Sequence, residues 1–311
     1  MAGPIKLYLL TGFLGAGKTT FLQQAMQELA AFKVGILMNE FGNLSIDGIR
    51  LRRQGVEVVE LNNGSVFCSC LKGAFIDSLV AYSELPIDYL LVEASGMADP
   101  SSIETILESV IGKVKGRAYD YQGSICIVDA LNFLDQADLL LSIERQVDAS
   151  GLIVVNKTDL ADEETLRQVE GKVRSINSWA KIERVQYCKV PPAVWKQAVA
   201  KREVYREAES CNTPGNRPVA HTLAITGDFS KALFCEFLQA LAPRMLRMKG
   251  FFRLDGAWHQ VDAVGNQMVV EPMELERDKS ELVFISSQGL AALQQIYEQW
   301  DARFTVPISL K

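Results

Sequence analysis

Apolar residues in the first two thirds of the chain fall in short unbroken runs. IKLYLL (5–10), VGILMN (34–39), YLLVEAS (89–95), SICIVDA (124–130) and GLIVVNK (151–157) each have the length of a strand, and VEVVEL (56–61) adds a shorter one. Apolar runs without polar alternation mark strands buried on both faces. Helical spacing separates them, from about Lys18 to Leu29, in DPSSIETILESVI (99–111) and in DEETLRQVEGKVRSIN (162–177). Asp99 before Pro100 reads as an N-cap with proline at the first helical position. Buried strands alternating with helices predict an α/β domain built on a doubly wound, mostly parallel sheet.

The rhythm breaks at ESCNTPGNRP (209–218), a run of turn formers that predicts a linker. Beyond it, HTLAIT (221–226) reads as a strand and KALFCEFLQAL (231–241) as a helix. KGFFRL, WHQVDAV and MVVEPM then follow as closely spaced strands, with LDGAW (254–258) as a hairpin turn. ELVFISS and the helix LAALQQIYEQW (290–300) complete a small α+β domain. The expected division is a first domain over 1–208, a linker over 209–218 and a second domain over 219–311.

Composition narrows the picture a little. The 311 residues are 48% hydrophobic and 23% charged, with a net charge of −6, so the chain carries no electrostatic footprint for nucleic acid. No apolar window reaches the roughly eighteen residues of a membrane span. The start, MAGPIKLYLLTGF, reads as a first strand and not a signal peptide, because glycines and Lys18 follow the apolar run. Six cysteines are scattered at 68, 70, 126, 188, 211 and 235, which argues against a disulfide framework and for the cytoplasm.

The chemistry begins at GFLGAGKTT, Gly12 to Thr20, which fits G-x-x-x-x-G-K-[ST] between a strand and a helix. Glycines there let successive backbone N–H groups turn inward on phosphate oxygens, and the helix N-terminus adds partial positive charge. Gly12, Gly15, Ala16, Gly17, Lys18, Thr19 and Thr20 are the candidate phosphate-binding residues. Lys18 would reach the β and γ phosphates, and the Thr19 hydroxyl would ligate Mg²⁺. NKTD (156–159) follows a buried strand, in the right order after such a loop. The Asp159 carboxylate can accept from guanine N1–H and the 2-amino group, donors that adenine lacks, so GTP or GDP is favoured over ATP. The Lys157 stem can cover the base, and Asn156 completes the motif. Glu93, at the end of YLLVE, suits Mg²⁺ through water, and the Gly96 N–H can meet the γ-phosphate. NEFGNLSID (39–47), with Glu40 and Asp47, reads as a loop that orders around the triphosphate. Lys18, Glu40 and Glu93 are the candidate catalytic residues. No arginine finger is marked, so unaided hydrolysis should be slow.

Taken together, GFLGAGKTT, NEFGNLSIDG, the cysteine loop, EASGMADP, NKTD and RMKGFFRL (247–254) resemble the CobW-type GTPases, proposed metallochaperones. The resemblance covers almost the whole chain. It implies a Mg²⁺-dependent GTPase whose nucleotide state alters metal affinity or drives homodimerisation, with a metalloprotein or corrinoid protein as client. Relatives carry a C-x-C-C step where this chain has GSVFCSC (64–70), leaving Cys68 and Cys70. Two thiolates suit Zn²⁺ or Co²⁺ but do not complete a tetrahedral site, so Glu40 or a partner would supply a further ligand. The histidine-rich tract of many relatives is missing, since the chain has only His221 and His259. Those two read as strand-face residues, Cys126 as a small core hydrophobe, and EPMELERDKSE (271–281) as a solvated loop. The competing reading is a GTP-dependent switch that acts on a partner without carrying metal.

Overall fold

The computed structural model describes residues 3–39, 57–61, 72–96, 98–100, 103–195, 199, 218–265, 267–274 and 276–310. The chain divides into two units, Met1–Asn212 and Thr213–Lys311. The strands of the first unit are β1 (Ile5–Gly12), β2 (Val34–Asn39), β3 (Glu57–Leu61), β4 (Tyr89–Glu93), β5 (Tyr119–Asp129), β6 (Leu152–Asn156) and β7 (Lys181–Arg184). Its helices are α1 (Lys18–Glu28), α2 (Lys72–Ser83), α3 (Ile103–Ile111), α4 (Phe133–Leu139), α5 (Leu141–Asp148) and α6 (Glu163–Ile176).

The seven strands form one sheet in the order β3-β2-β4-β1-β5-β6-β7, with every neighbour pairing parallel. β1 shows why its sequence had to be apolar on both faces. Ile5, Leu7 and Leu9 pack with Phe75 and Leu79 of α2 and Ile106 of α3. The alternate residues Tyr8 and Leu10 pack with Phe21, Leu22 and Ala25 of α1. Side chains of successive strand residues leave opposite faces, so one run of sequence builds two cores. The order also puts β1 in the interior of the sheet, between β4 and β5, where its C-terminal end opens onto the crevice used for ligands in such folds.

Several elements differ from the sequence reading. β5 starts at Tyr119 and not at Ser124, because Tyr119 and Asp120 extend the ladder beside Ile5 and Lys6 of β1. β7, the polar KIER, was not anticipated; it is an edge strand held by pairing with β6. α3 is described from Ile103, residues 101 and 102 lying outside the described residues, and Asp99, read as its cap, is buried.

The second unit holds β8 (Val219–Ile225), α7 (Lys231–Leu241), β9 (Arg247–Leu254), β10 (Ala257–Val264), β11 (Gln267–Pro272), β12 (Ser280–Ser286) and α8 (Leu290–Asp301). Its strands form an antiparallel sheet in the order β11-β10-β9-β12-β8. α7 and α8 cover one face: Phe234, Phe237, Ile296 and Trp300 pack on Phe252, Val261 and Phe284. Asp255 and Gly256, both at positive φ (49° and 80°), make the expected β9–β10 turn. His221 and His259 lie on β8 and β10 as expected. No helix among the described residues is long and apolar enough to cross a membrane.

Candidate nucleotide site

β1 ends at Gly12, and α1 starts at Lys18, so the predicted phosphate loop is the whole connection between them. Two glycines are demanded by the local geometry. Gly12 has φ 134°, and a Cβ there would stand 2.4 Å from the Ile127 carbonyl oxygen of β5. Gly17 has φ 117°, and a Cβ there would stand 2.6 Å from Asn156 Nδ2 and 2.9 Å from Cys188 Sγ. The loop therefore lies hard against β5, the end of β6 and the segment after β7. Gly17 caps α1 without a side-chain hydrogen bond, and the first turn holds no acidic residue. Its leading N–H groups and partial positive charge thus meet no side-chain anion of that turn, which suits a phosphate.

Lys18 is buried, and its ammonium donates to the carbonyls of Gly12 (2.8 Å) and Phe13 (3.2 Å). The side chain is thereby folded back over its own loop, on the side where phosphates would lie. Thr19 and Thr20 are partly exposed on the first turn of α1. Glu93 is buried at the C-terminal end of β4, paired in register with Leu10 of β1. Gly96 abuts the loop as well, because a Cβ on it would come within 2.9 Å of the Leu14 backbone nitrogen. The region after β4 and the phosphate loop therefore meet closely at Leu14, through its side chain and its backbone nitrogen.

Asn156 links this loop to the other predicted motif. Its Nδ2 donates to Ala16 O (3.0 Å), while its Oδ1 accepts from Cys188 N (2.9 Å). The Cys188 thiol donates in turn to Gly17 O at 3.3 Å. Lys157 adopts φ 63° and donates from Nζ to Asp129 Oδ2 at 2.7 Å. Thr158 is held by two bonds to Val185 O, from its N–H (3.3 Å) and its hydroxyl (3.0 Å). Asp159 is exposed at the rim, where its carboxylate can meet the edge of a base.

Three contributors were missed by the sequence reading. Asp129 lies beside Asn156 in the β5–β6 register and anchors Lys157; its other oxygen accepts from Leu131 N at 3.0 Å. An acid at the C-terminal end of a central strand was the available signal. Gln146 of α5 is fully buried and donates to Gly96 O (3.1 Å) and Ala98 O (2.9 Å), fixing the segment after β4. Nothing local marks it. Cys188, one of the scattered cysteines, is a buried link between the phosphate loop and the segment after β7. Burial pushes its thiol up to about 12, and Cys126 likewise, so neither is a ready thiolate ligand at neutral pH.

Glu40, Cys68 and Cys70 lie outside the described residues, as do Asp47 and the linker up to 217. Among the described residues, no group of three or more His, Cys, Asp or Glu side chains could hold a metal ion.

Residues 6–184 match the family model described as CobW/HypB/UreG, nucleotide-binding domain, and residues 219–302 match the cobalamin synthesis protein cobW C-terminal domain. "Zinc chaperone YjiA" of Escherichia coli is 33% identical over 189 residues, 59% of this chain and 58% of its own length. "Zinc chaperone CobW" of a Sinorhizobium species is 32% identical over 206 residues, 57% of each chain. A solved structure of Zn(II)-bound YjiA GTPase from E. coli aligns with 98% of this chain and 100% of its own, at 22% identity and a TM-score of 0.47. The chain spans little more than half the length of these curated relatives. The chain belongs to the CobW/HypB/UreG family, with the nucleotide-binding domain in its first unit and the CobW C-terminal domain in its second.

Proposed function

We propose that this chain binds GTP, hydrolyses it to GDP and phosphate, and uses the nucleotide state to control a transition metal destined for a client protein. The observation that carries the reading is the Asn156 carboxamide, which bonds Ala16 of the phosphate loop and Cys188 of the base-side segment at once. A ligand spanning both motifs would have base and triphosphate held by one rigid frame. Asp159 would accept from guanine N1–H and the 2-amino group, while the Lys157 stem, held by Asp129, covers the ring. Gly12 to Thr20 would cradle the phosphates, and the Lys18 ammonium would exchange its carbonyl partners for β and γ oxygens. Such preorganised donors stabilise the charge that develops on those oxygens as the bond to the γ-phosphorus breaks.

The donor set fits Mg²⁺: Thr19 offers a hydroxyl and Glu93 a buried carboxylate, both hard oxygens, near the loop end of β1. When bound, the ion would neutralise phosphate charge. Gly96, backed by Gln146 and pressed on Leu14, is placed to pass the loss of the γ-phosphate to the segment that follows it. Cys68 and Cys70, with Glu40 or a partner, would hold Zn²⁺ or Co²⁺, and the names of the zinc-chaperone relatives support zinc. A metalloprotein or corrinoid protein would be the client, the site of action the cytoplasm, and a GTP-dependent homodimer the transfer state.

The test pairs two assays. Hydrolysis of GTP but not ATP, abolished by Lys18→Ala, is expected. Zinc affinity should differ at least tenfold between GTP-analogue and GDP states, and that difference should vanish in Cys68→Ser/Cys70→Ser. Hydrolysis that survives Lys18→Ala removes the nucleotide assignment. Zinc affinity indifferent to the double variant leaves a metal-free switch in its place.

A further inference from the structure

The segment 276–280, expected as solvated loop, is not free of the fold. The Arg277 guanidinium carbon lies over the Phe251 ring, 4.1 Å from its centroid, and the Ser280 hydroxyl accepts from Arg253 N at 3.0 Å. Phe251 and Arg253 are two apart on β9, so they share one face of the sheet, and Trp258 pairs with Arg253 in the register. This places two arginines beside two buried aromatic rings on the face opposite the Phe252 core.

A cleft of about 340 Å³ opens there, its lining including Arg253, Arg277, Lys279, Asp228, Asp278 and Trp258. The charges in it are unequally committed. Lys279 pairs with Glu281 at 2.8 Å. Asp228 accepts Gly256 N on both oxygens, at 3.0 and 2.8 Å. Among the described residues, neither the Arg253 nor the Arg277 guanidinium has an ion-pair or hydrogen-bond acceptor, and Arg277 Nε is buried without one. The Phe251 ring holds the Arg277 guanidinium by a cation–π contact and accepts none of its N–H groups as a carboxylate would.

We propose that this cleft is a binding site for the acidic side chain of a partner peptide. The planar fork matches two carboxylate oxygens, with Arg253 as second donor and the Thr226 hydroxyl within the same lining. With Glu281 counted as the partner of Lys279, the three cations of the lining face three carboxylates. That balance suits a monoanion better than a phosphate dianion. The apolar wall of Trp258 suits a ligand whose carboxylate is attached to carbon. The site lies wholly in the second unit, and it stands or falls separately from the nucleotide reading.

The experiment uses the full chain saturated with GDP, so that the phosphate loop is occupied. The arginine Nε–H signals are followed by NMR during titration with N-acetyl-Asp-Glu-amide, with inorganic phosphate, and with sodium chloride at matched ionic strength. The Arg277 signal is assigned by its loss in Arg277→Lys, which keeps the charge and the stem. The peptide should shift that signal saturably, and Arg253→Gln, at an exposed strand position, should weaken binding about tenfold, equivalent to about 1.4 kcal/mol. Phosphate should bind more weakly than the peptide. A response no different from sodium chloride, affinity unchanged in Arg253→Gln, or phosphate bound more tightly than the peptide would each overturn the assignment.

Discussion

Gly17→Ala tests whether phosphate loop and base segment form one clamp. The wild-type residue sits at φ 117° and ψ 21°, outside the regions open to alanine. Holding a non-glycine residue there costs about 1–3 kcal/mol. The added methyl would also stand 2.6 Å from Asn156 Nδ2 and 2.9 Å from Cys188 Sγ, well inside ordinary contact. Relief means pushing the Asn156 carboxamide away and losing its bonds to Ala16 O and Cys188 N. Each is worth about 0.5–1.5 kcal/mol, and more if a buried partner is left unsatisfied. The sum is about 2–6 kcal/mol. Urea unfolding without nucleotide should show that loss, and titration with a fluorescent GDP analogue should show affinity down by about 100-fold, the equivalent of about 2.7 kcal/mol. Gly171→Ala is the internal control. It lies within α6, a Cβ there meets nothing within 4 Å, and the change should stabilise by about 0.5–1 kcal/mol. If Gly17→Ala unfolds at the parent urea midpoint and binds GDP within twofold, the clamp is not rigid and the reasoning fails.

Asp129→Asn removes the charge that holds Lys157, and GDP affinity should fall about tenfold while the melting temperature moves little; an unchanged GDP titration would show that Lys157 needs no anchor. In the second unit, Trp300 is fully buried among Phe229, Phe237, Phe252 and Phe304 and donates to Val306 O at 2.7 Å, so Trp300→Ala should cost about 3–5 kcal/mol in urea unfolding. On α6, the Thr165 N–H holds the Asp162 carboxyl below its ordinary range, and the Arg184 guanidinium does the same for Glu170. Carboxyls lowered in the folded state stabilise it above the unfolded value and lose that contribution as pH falls through the folded value. Stability should therefore decline as pH drops below about 4.5, and Arg184→Gln should flatten part of that slope, measured by urea midpoint against pH. Because burial raises Cys126 and Cys188 to about 12, iodoacetamide at pH 8 followed by peptide mass spectrometry should leave both unmodified in the folded protein.

By itself, the sequence determined what depends on neighbours along the chain. The β1 run, the glycine loop and α1 follow from apolar continuity, from backbone angles only glycine tolerates and from helical spacing, all within 24 residues. The β9–β10 turn follows from Asp255-Gly256 in the same way. What only the tertiary structure decided depends on groups far apart in sequence. KIER has no apolar pattern and becomes β7 because β6 offers a free edge and Glu163 and Glu170 of α6 pair with Arg184. Asn156 reaches Ala16 across 140 residues, and Cys188 reaches Gly17 across 171. Gln146 under Gly96 and Arg277 on Phe251 are likewise contacts between distant segments. Periodicity and turn chemistry are short-range signals, whereas a hydrogen bond between two strand ends exists only once the order of the sheet has brought them side by side.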